Sequence, residues 1–255
     1  MEPLIIAHRG FSAEAPENTM AAFRLGWQAE ADGVECDVHL TADGEVICIH
    51  DFDTERVSGI RKTVSKSAWS ELEGLDAGAW KDPRWAGEGI PLLGALIRAN
   101  PAEATLVVEI KCGPEIVASL LNVFDRTEAP LGRLIVISFV EESLIELKRQ
   151  RPEVKAYWLS YLSVDDSSES TPSVQEIVDK VERLGVDGFG GQSGPGMSRE
   201  LIEALEAKGF ESNVWTVDDP AEARRMRDIG LTSITTNNPT LIREALERSE
   251  KRGCR

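Results

Sequence analysis

Residues 33–51 read GVECDVHLTADGEVICIHD, and the fold turns on how this stretch is divided. Gly33–His39 and Glu45–His50 are both β-rich runs, yet little more than Thr41-Ala42-Asp43-Gly44 lies between them. That is far too short for a crossover helix, so the two runs must pair antiparallel around an Asp-Gly turn. A two-residue turn at Asp43-Gly44 places Asp37 opposite His50. Outward from this hairpin, further strand-like runs occur at Leu4–His8, Thr105–Lys111, Arg133–Phe139, Lys155–Leu159, Val186–Gly190, Ser212–Val217 and Ser233–Thr236. Segments of helical period stand between most of them: Thr19–Ala31, Glu115–Asp125, Glu141–Gln150, Ser173–Leu184, Arg199–Lys208 and Ala221–Ile229. Alternating strands and helices predict parallel pairing with crossover helices. Nine strands less the hairpin's return strand leave eight, and the expectation is an α/β fold, a TIM (β/α)8 barrel with a β-hairpin after its second strand. Residues 51–100, with Trp69, Trp80 and Trp85 and no clear strand, are expected as an insertion over the C-terminal face, the whole chain 1–255 forming one domain.

Composition narrows the function. The 255 residues are 42% hydrophobic and 28% charged, with a formal net charge of −16. Such an acidic chain repels a phosphate backbone, so nucleic acid is not expected as a partner. No apolar run suits a signal peptide or a membrane span, and integral membrane association is not expected. Cys36, Cys48, Cys112 and Cys254 form no C-x-x-C pair and read as reduced thiols of a cytoplasmic protein. No glycine-rich dinucleotide fingerprint follows the first strand.

In a barrel of this kind the working residues stand at the C-terminal ends of strands. Those ends carry His8-Arg9-Gly10, Glu35 and Asp37, Glu109 and Lys111, Ser138-Phe139 and Trp215. Strand period two puts Glu35 with Asp37, and Glu109 with Lys111, on one face. Three neighbouring carboxylates repel unless a hard cation lies between them, and all-oxygen ligation suits one Mg²⁺ or Ca²⁺ rather than zinc. Two of the chain's three histidines, His8 and His50, fall beside this cluster and suit general acid–base work. Arg9 offers a fork of donors to phosphate oxygens and Lys111 a second cation. Together these residues suit in-line displacement at the phosphorus of a small anionic substrate. His39 reads as a surface residue near the hairpin turn, Asn18 or Thr19 as a helix cap, and Trp215 as pocket wall or core.

His8-Arg9-Gly10 followed by Pro16-Glu17-Asn18-Thr19 resembles the opening motif of the glycerophosphodiester phosphodiesterases. Glu35-Cys36-Asp37-Val38, Leu40 to Gly44, His50-Asp51, Glu109-Ile110-Lys111, Ser138-Phe139 and Trp215-Thr216-Val217 resemble their later motifs. The resemblance spans roughly residues 4 to 239. It implies a TIM barrel that hydrolyses small glycerophosphodiesters to sn-glycerol 3-phosphate and an alcohol. It further implies metal ligation by Glu35, Asp37 and Glu109, catalysis by His8 and His50, and substrate contacts from Arg9, Glu17, Lys111 and Trp215. Two departures stand out: Pro91-Leu92-Leu93-Gly94-Ala95 where relatives read Pro-x-Leu-Glu-Glu, and Thr236-Asn237-Asn238-Pro239 where they read Thr-Asp-x-Pro. These leave room for a different headgroup, such as a lysophospholipid or sugar phosphodiester; and since fold alone does not guarantee turnover, a barrel that binds phosphoesters without hydrolysing them is a further alternative.

Overall fold

The computed structural model describes residues 2–162 and 172–253; Cys254 lies outside them. All nine expected strands form: β1 (Leu4–Ala7), β2 (Gly33–Leu40), β3 (Val46–Cys48), β4 (Thr105–Ile110), β5 (Leu134–Ser138), β6 (Lys155–Ser160), β7 (Gly188–Gln192), β8 (Glu211–Trp215) and β9 (Ser233–Thr236). Eight pair in parallel, and β1 closes the ring by pairing with both β9 and β2. The antiparallel β3 takes the upper part of the β2 edge, above the point where β1 departs. The chain is a TIM barrel.

The helices follow from cap and periodicity signals. In chain order they are α1 (Met20–Gln28), α2 (Glu55–Ser58), α3 (Leu93–Ala99), α4 (Val117–Arg126), α5 (Glu141–Gln150), α6 (Val174–Leu184), α7 (Arg199–Ala207), α8 (Pro220–Ile229) and α9 (Pro239–Gly253). α6 opens with a Ser173–Glu176 capping box and stops at Gly185, and its Ile177, Val178, Val181 and Leu184 are buried on one face. Thr19 caps α1, its hydroxyl accepting from the Ala22 N–H.

Strand alternation sorts the side chains into two cores. Ile5, Ala7, Val34, Cys36, Val38, Val108 and Val136 face outward into the helix layer. Their neighbours Ile6, Val107, Ile137, Tyr157 and Leu159 fill the barrel interior. The polar residues of the interior parity, Glu35, Asp37 and Glu109, therefore end up in the same buried channel.

The hairpin register differs from expectation by one residue. Val38 pairs Cys48, His39 pairs Ile47 and Leu40 pairs Val46. The connection is a three-residue turn, Ala42-Asp43-Gly44, closed by the Thr41 N–H on the Glu45 carbonyl at 2.9 Å, with Gly44 at φ 87°. A left-handed glycine at the third position suits the bulged hairpin loop, and it shifts every cross-strand pair by one. Asp37 consequently faces Ile49, whose N–H donates to the Asp37 carbonyl at 3.0 Å. His39 is not a surface residue. It is 8% exposed, and its Nε2 lies 3.1 Å from the His50 carbonyl, an acceptor only, so that nitrogen carries the proton.

Within residues 51–100, Val57, Val64, Leu72, Ala77 and Ile90 build a separate small core around Ile47 and Ile49. Trp69 packs on it, Trp85 packs on Ala15, Ala21 and Ala22, and Trp80 is partly exposed, its indole N–H donating to the Ala77 carbonyl. The last part of the stretch belongs to the barrel instead. α3 buries Leu93, Leu96 and Ile97 in the main core and is the crossover helix that returns the chain to β4. It is seven residues long, contains Gly94 and has no side-chain N-cap, so no helix signal marks it in the sequence. Among the described residues, no helix is long and apolar enough to cross a membrane.

Candidate active site

Asp37 and Glu109 are direct register partners on β2 and β4, and Glu35 lies one inward position below Asp37. All three are buried, and one carboxylate oxygen from each falls within 4.8 Å of the others. Glu35 Oε1 and Asp37 Oδ1 are buried without a hydrogen-bond donor. Burial, then the charges of Asp37 and Glu109, push the Glu35 pKa well above the carboxylate range. Burial and Asp37 push Glu109 up to about 7. Burial also works against the Asp37 charge, but Arg9 and Lys111 outweigh it and hold its pKa low. Orphaned, acceptor-only oxygens under mutual repulsion fit a hard divalent cation, which needs oxygen ligands and supplies the missing charge. Lys111 Nζ stands 2.7 Å from Glu109 Oε1 and 3.6 Å from Asp37 Oδ1, at the rim of the triad.

Asn18 locks this arrangement, a role that its sequence context as a possible helix cap did not reveal. Its Nδ2 donates to Asp37 Oδ2 at 2.8 Å and its Oδ1 accepts from the Asp37 N–H at 3.1 Å. Asn18 reaches this position in a left-handed conformation, φ 56°, which Asn tolerates better than most residues.

His8 and Arg9 follow β1 directly. The Arg9 N–H donates to Glu35 Oε2 at 2.9 Å, its Nη1 to Glu17 Oε1 at 2.9 Å, and its Nε pairs with Asp37 Oδ2 at 3.0 Å. His8 Nε2 faces Glu35 Oε2 at 4.0 Å, and its Nδ1 lies 2.7 Å from Asn237 Oδ1. Burial, then Arg9, lowers the His8 pKa. On the other side, His50 Nδ1 lies 2.7 Å from Asp51 Oδ1. Arg56, on α2, is a residue the sequence reading did not single out. It donates to both Glu17 oxygens and to Asp51 Oδ2, so one guanidinium ties the supports of Arg9 and His50 together.

The turn after Arg9 requires glycine. Gly10 sits at φ 76°, and a Cβ there would stand 2.4 Å from the Ala22 backbone carbon. Gly10→Ala is expected to destabilise the fold by about 2 kcal/mol or more, combining left-handed strain with the clash against α1. Denaturant titration checks this; an unchanged midpoint would contradict it.

These residues surround one cleft of about 130 Å³ at the C-terminal end of the barrel. His8, Arg9, Glu35, His50, Glu109 and Lys111 line one side. Phe139, Tyr161 and Trp215 form the other, with Phe139 and Tyr161 stacked at 5.0 Å and Trp215 edge-on to both at 5.4 Å. Tyr161 was not visible as a site residue, because it follows the end of β6 in a stretch without a motif. Asp37 stands behind the wall and Glu17 beside it, held by Arg9 and Arg56. Gly94 lies against Val123 of α4 and Thr127 just after it, away from the cleft, whereas Asn237 touches His8. A second cavity, about 210 Å³, opens at the N-terminal end of the barrel. There Glu211 is already engaged by Lys155 at 2.6 Å and by the Tyr157 hydroxyl, which leaves no convergent set of free reactive groups among the described residues.

The sequence profile of the glycerophosphoryl diester phosphodiesterase family matches residues 8–241. A glycerophosphodiester phosphodiesterase from Caldanaerobacter subterraneus subsp. tengcongensis is 32% identical over 248 residues, 95% of this chain and 97% of that one. One from Bacillus subtilis is 26% identical, covering 94% and 85%. Among solved structures, an Oleispira antarctica phosphodiesterase in complex with the product sn-glycerol-3-phosphate superposes with a TM-score of 0.85 at 26% identity, covering 96% and 97%. A glycerophosphodiester phosphodiesterase from Agrobacterium tumefaciens gives 0.79 at 27%, covering 94% and 98%. With a profile match that runs from His8 through β9, and a cleft that gathers carboxylates, two imidazoles and cationic side chains, this chain belongs to the glycerophosphoryl diester phosphodiesterase family of enzymes.

Proposed function

We propose that the chain is a single-domain, cytoplasmic, divalent-cation-dependent hydrolase of small glycerophosphodiesters, releasing sn-glycerol 3-phosphate and an alcohol. The observation that carries this reading is the buried triad Glu35–Asp37–Glu109 in one cleft with two imidazoles and Arg9. The Oleispira relative holds glycerol 3-phosphate as its product, which fits a cleft of this size and charge. The Cys36 and Cys48 thiols are buried and free, in keeping with a reducing compartment.

The triad would hold one Mg²⁺ or Ca²⁺, and the ion when bound neutralises charge developing on the phosphoryl oxygens. The chain's own groups do the rest. Arg9 and Lys111 bind the non-bridging oxygens, the Arg9 guanidinium being aimed by Glu17 and Asp37 while Glu35 holds its backbone N–H. Trp215, with Phe139 and Tyr161, excludes water from the apolar edge of glycerol. One imidazole takes the proton of the attacking oxygen and the other returns a proton to the leaving alkoxide. Because Gly94 and Ala95 lie on α3, outside the cleft lining, that departure gives no support to an altered headgroup.

Release of glycerol 3-phosphate from glycerophosphoethanolamine after EDTA treatment, and again after adding Mg²⁺, Mn²⁺ or Ca²⁺, tests the proposal. Turnover is expected to fall to background with EDTA and return with at least one cation. EDTA-insensitive turnover would remove the cation from the reading, and no turnover on a wider phosphodiester panel would remove hydrolysis.

A further inference from the structure

Position 237, where the family pattern has Asp, carries an amide in this chain, and the amide is held on every side. Asn237 Oδ1 accepts from Ser12 Oγ at 2.8 Å and faces His8 Nδ1 at 2.7 Å. Asn237 Nδ2 donates to Asp218 Oδ2 at 2.6 Å. Asp218 Oδ1 accepts from the Asn237 N–H at 2.8 Å and from Thr236 Oγ1 at 2.9 Å. The side chain therefore rests between β1 and the segment after β8, with a carboxylate behind it and an imidazole in front.

An amide can be turned either way, and its orientation follows from its partners. An ionised carboxylate only accepts, so the Asp218 side must receive the NH₂ group of Asn237. Its oxygen is then the atom offered to His8, and an amide oxygen also only accepts. His8 must carry its ring proton on Nδ1, which leaves the Nε2 lone pair directed into the cleft beside Glu35. We infer that Asp218 and Asn237 form a two-residue positioning relay that fixes the His8 ring in the Nδ1–H tautomer and so determines which nitrogen meets the substrate. The kinetic consequence rests on the acid–base role proposed for His8. The tautomer does not, and it is read without substrate.

The relay is reversible in a way that a packing role is not. Asp218→Asn puts two NH₂ groups against each other, so the Asn237 amide turns in part of the population and offers its NH₂ to His8. Adding Asn237→Asp restores the pattern with the groups exchanged. The amide introduced at position 218 would donate to the carboxylate introduced at position 237, and its oxygen would accept from the backbone N–H of position 237 and from Thr236. The new carboxylate would in turn accept from His8. The chain has three histidines, so the ¹⁵N ring resonances of His8 are assignable with His8→Gln as reference. The measurement is made on the Mg²⁺-supplemented protein at a pH where the ring is neutral. The wild type is expected to show the protonated nitrogen at Nδ1. Asp218→Asn and Asn237→Ala are expected to show a tautomer mixture, with kcat lowered about 10-fold and KM within about 2-fold. The D218N/N237D pair is expected to recover a single Nδ1–H tautomer and most of kcat. An Nε2–H tautomer in the wild type, or one unchanged in all three variants, would overturn the relay. So would failure of the pair to recover a single tautomer while it melts like the wild type.

Discussion

His8→Ala and His50→Ala are each expected to lower kcat at least ~100-fold, the usual loss when a positioned acid or base is removed. The two imidazoles reach the cleft from different elements and by different supports. His8 follows β1 and leans on Asn237, whereas His50 follows β3 and leans on Asp51, itself bound by Arg56. Neither side chain belongs to an apolar core cluster, so truncation is expected to leave the melting temperature nearly unchanged and the loss to be chemical. The double variant should be little slower than the worse single one, since residues acting in one reaction sequence are not additive. Substrates with an acidic leaving alcohol separate the two roles, because they no longer need a proton donor. The variant whose deficit shrinks on such a substrate has lost the acid, and the other has lost the base. A kcat within tenfold of wild type for either variant, with cation present, would remove that histidine from the chemistry.

The eight-stranded barrel was legible because two periods alternate along the chain and one gap, at Thr41–Gly44, is too short for a helix. The carboxylate triad was legible for a related reason: strand parity puts Glu35 and Asp37 on one face, and Glu109 stands near the C-terminal end of another barrel strand. Register was not. Asp43-Gly44 suits a two-residue turn and a three-residue bulged loop equally, both taking a left-handed glycine, and only the closing bond from the Thr41 N–H to the Glu45 carbonyl decides between them. His50 reaches the cleft although Ile49, and not His50, faces Asp37; it does so because β3 ends at Cys48 and the chain bends afterwards. The burial of His39 escapes the sequence for the same reason, since its ring is held by the His50 carbonyl through a contact that no local pattern encodes. The Asn18–Asp37 lock, the Arg56–Glu17 tie and the place of Tyr161 in the cleft have no local signal, because the partners lie 19 and 39 residues away or across the barrel mouth. Such contacts are products of topology, and a single sequence carries no local mark of them.

A cation should stabilise the protein more strongly in alkali than in acid. Burial and mutual repulsion raise the pKa of Glu35, and of Glu109 to about 7, in the folded, cation-free chain. A carboxyl whose folded pKa lies above its unfolded value binds more protons when folded between the two. Its contribution to stability therefore falls as pH rises from the ordinary carboxylate range through about 7. Asp37 has the opposite sign, being held ionised by Arg9 and Lys111, and loses its contribution only in strong acid. A divalent cation cancels the repulsion that Glu35 and Glu109 develop in alkali, whereas below about pH 6 protons occupy the same oxygens and compete with it. At pH 8, a cation at a hundred times its Kd is expected to add about 2.7 kcal/mol. For a chain of this size that corresponds to a rise in Tm of roughly 5–10 °C over the EDTA-treated protein. At pH 5.5 the same cation concentration should give a fraction of that shift. Asp37→Asn keeps an acceptor for Asn18 Nδ2 but removes the central charge of the triad, and it should abolish the shift at both pH values. Equal shifts at pH 8 and pH 5.5 would mean that protons and cation do not share these oxygens. A full shift in Asp37→Asn would place the cation elsewhere in the molecule, and with it the charge that the phosphodiester is expected to meet.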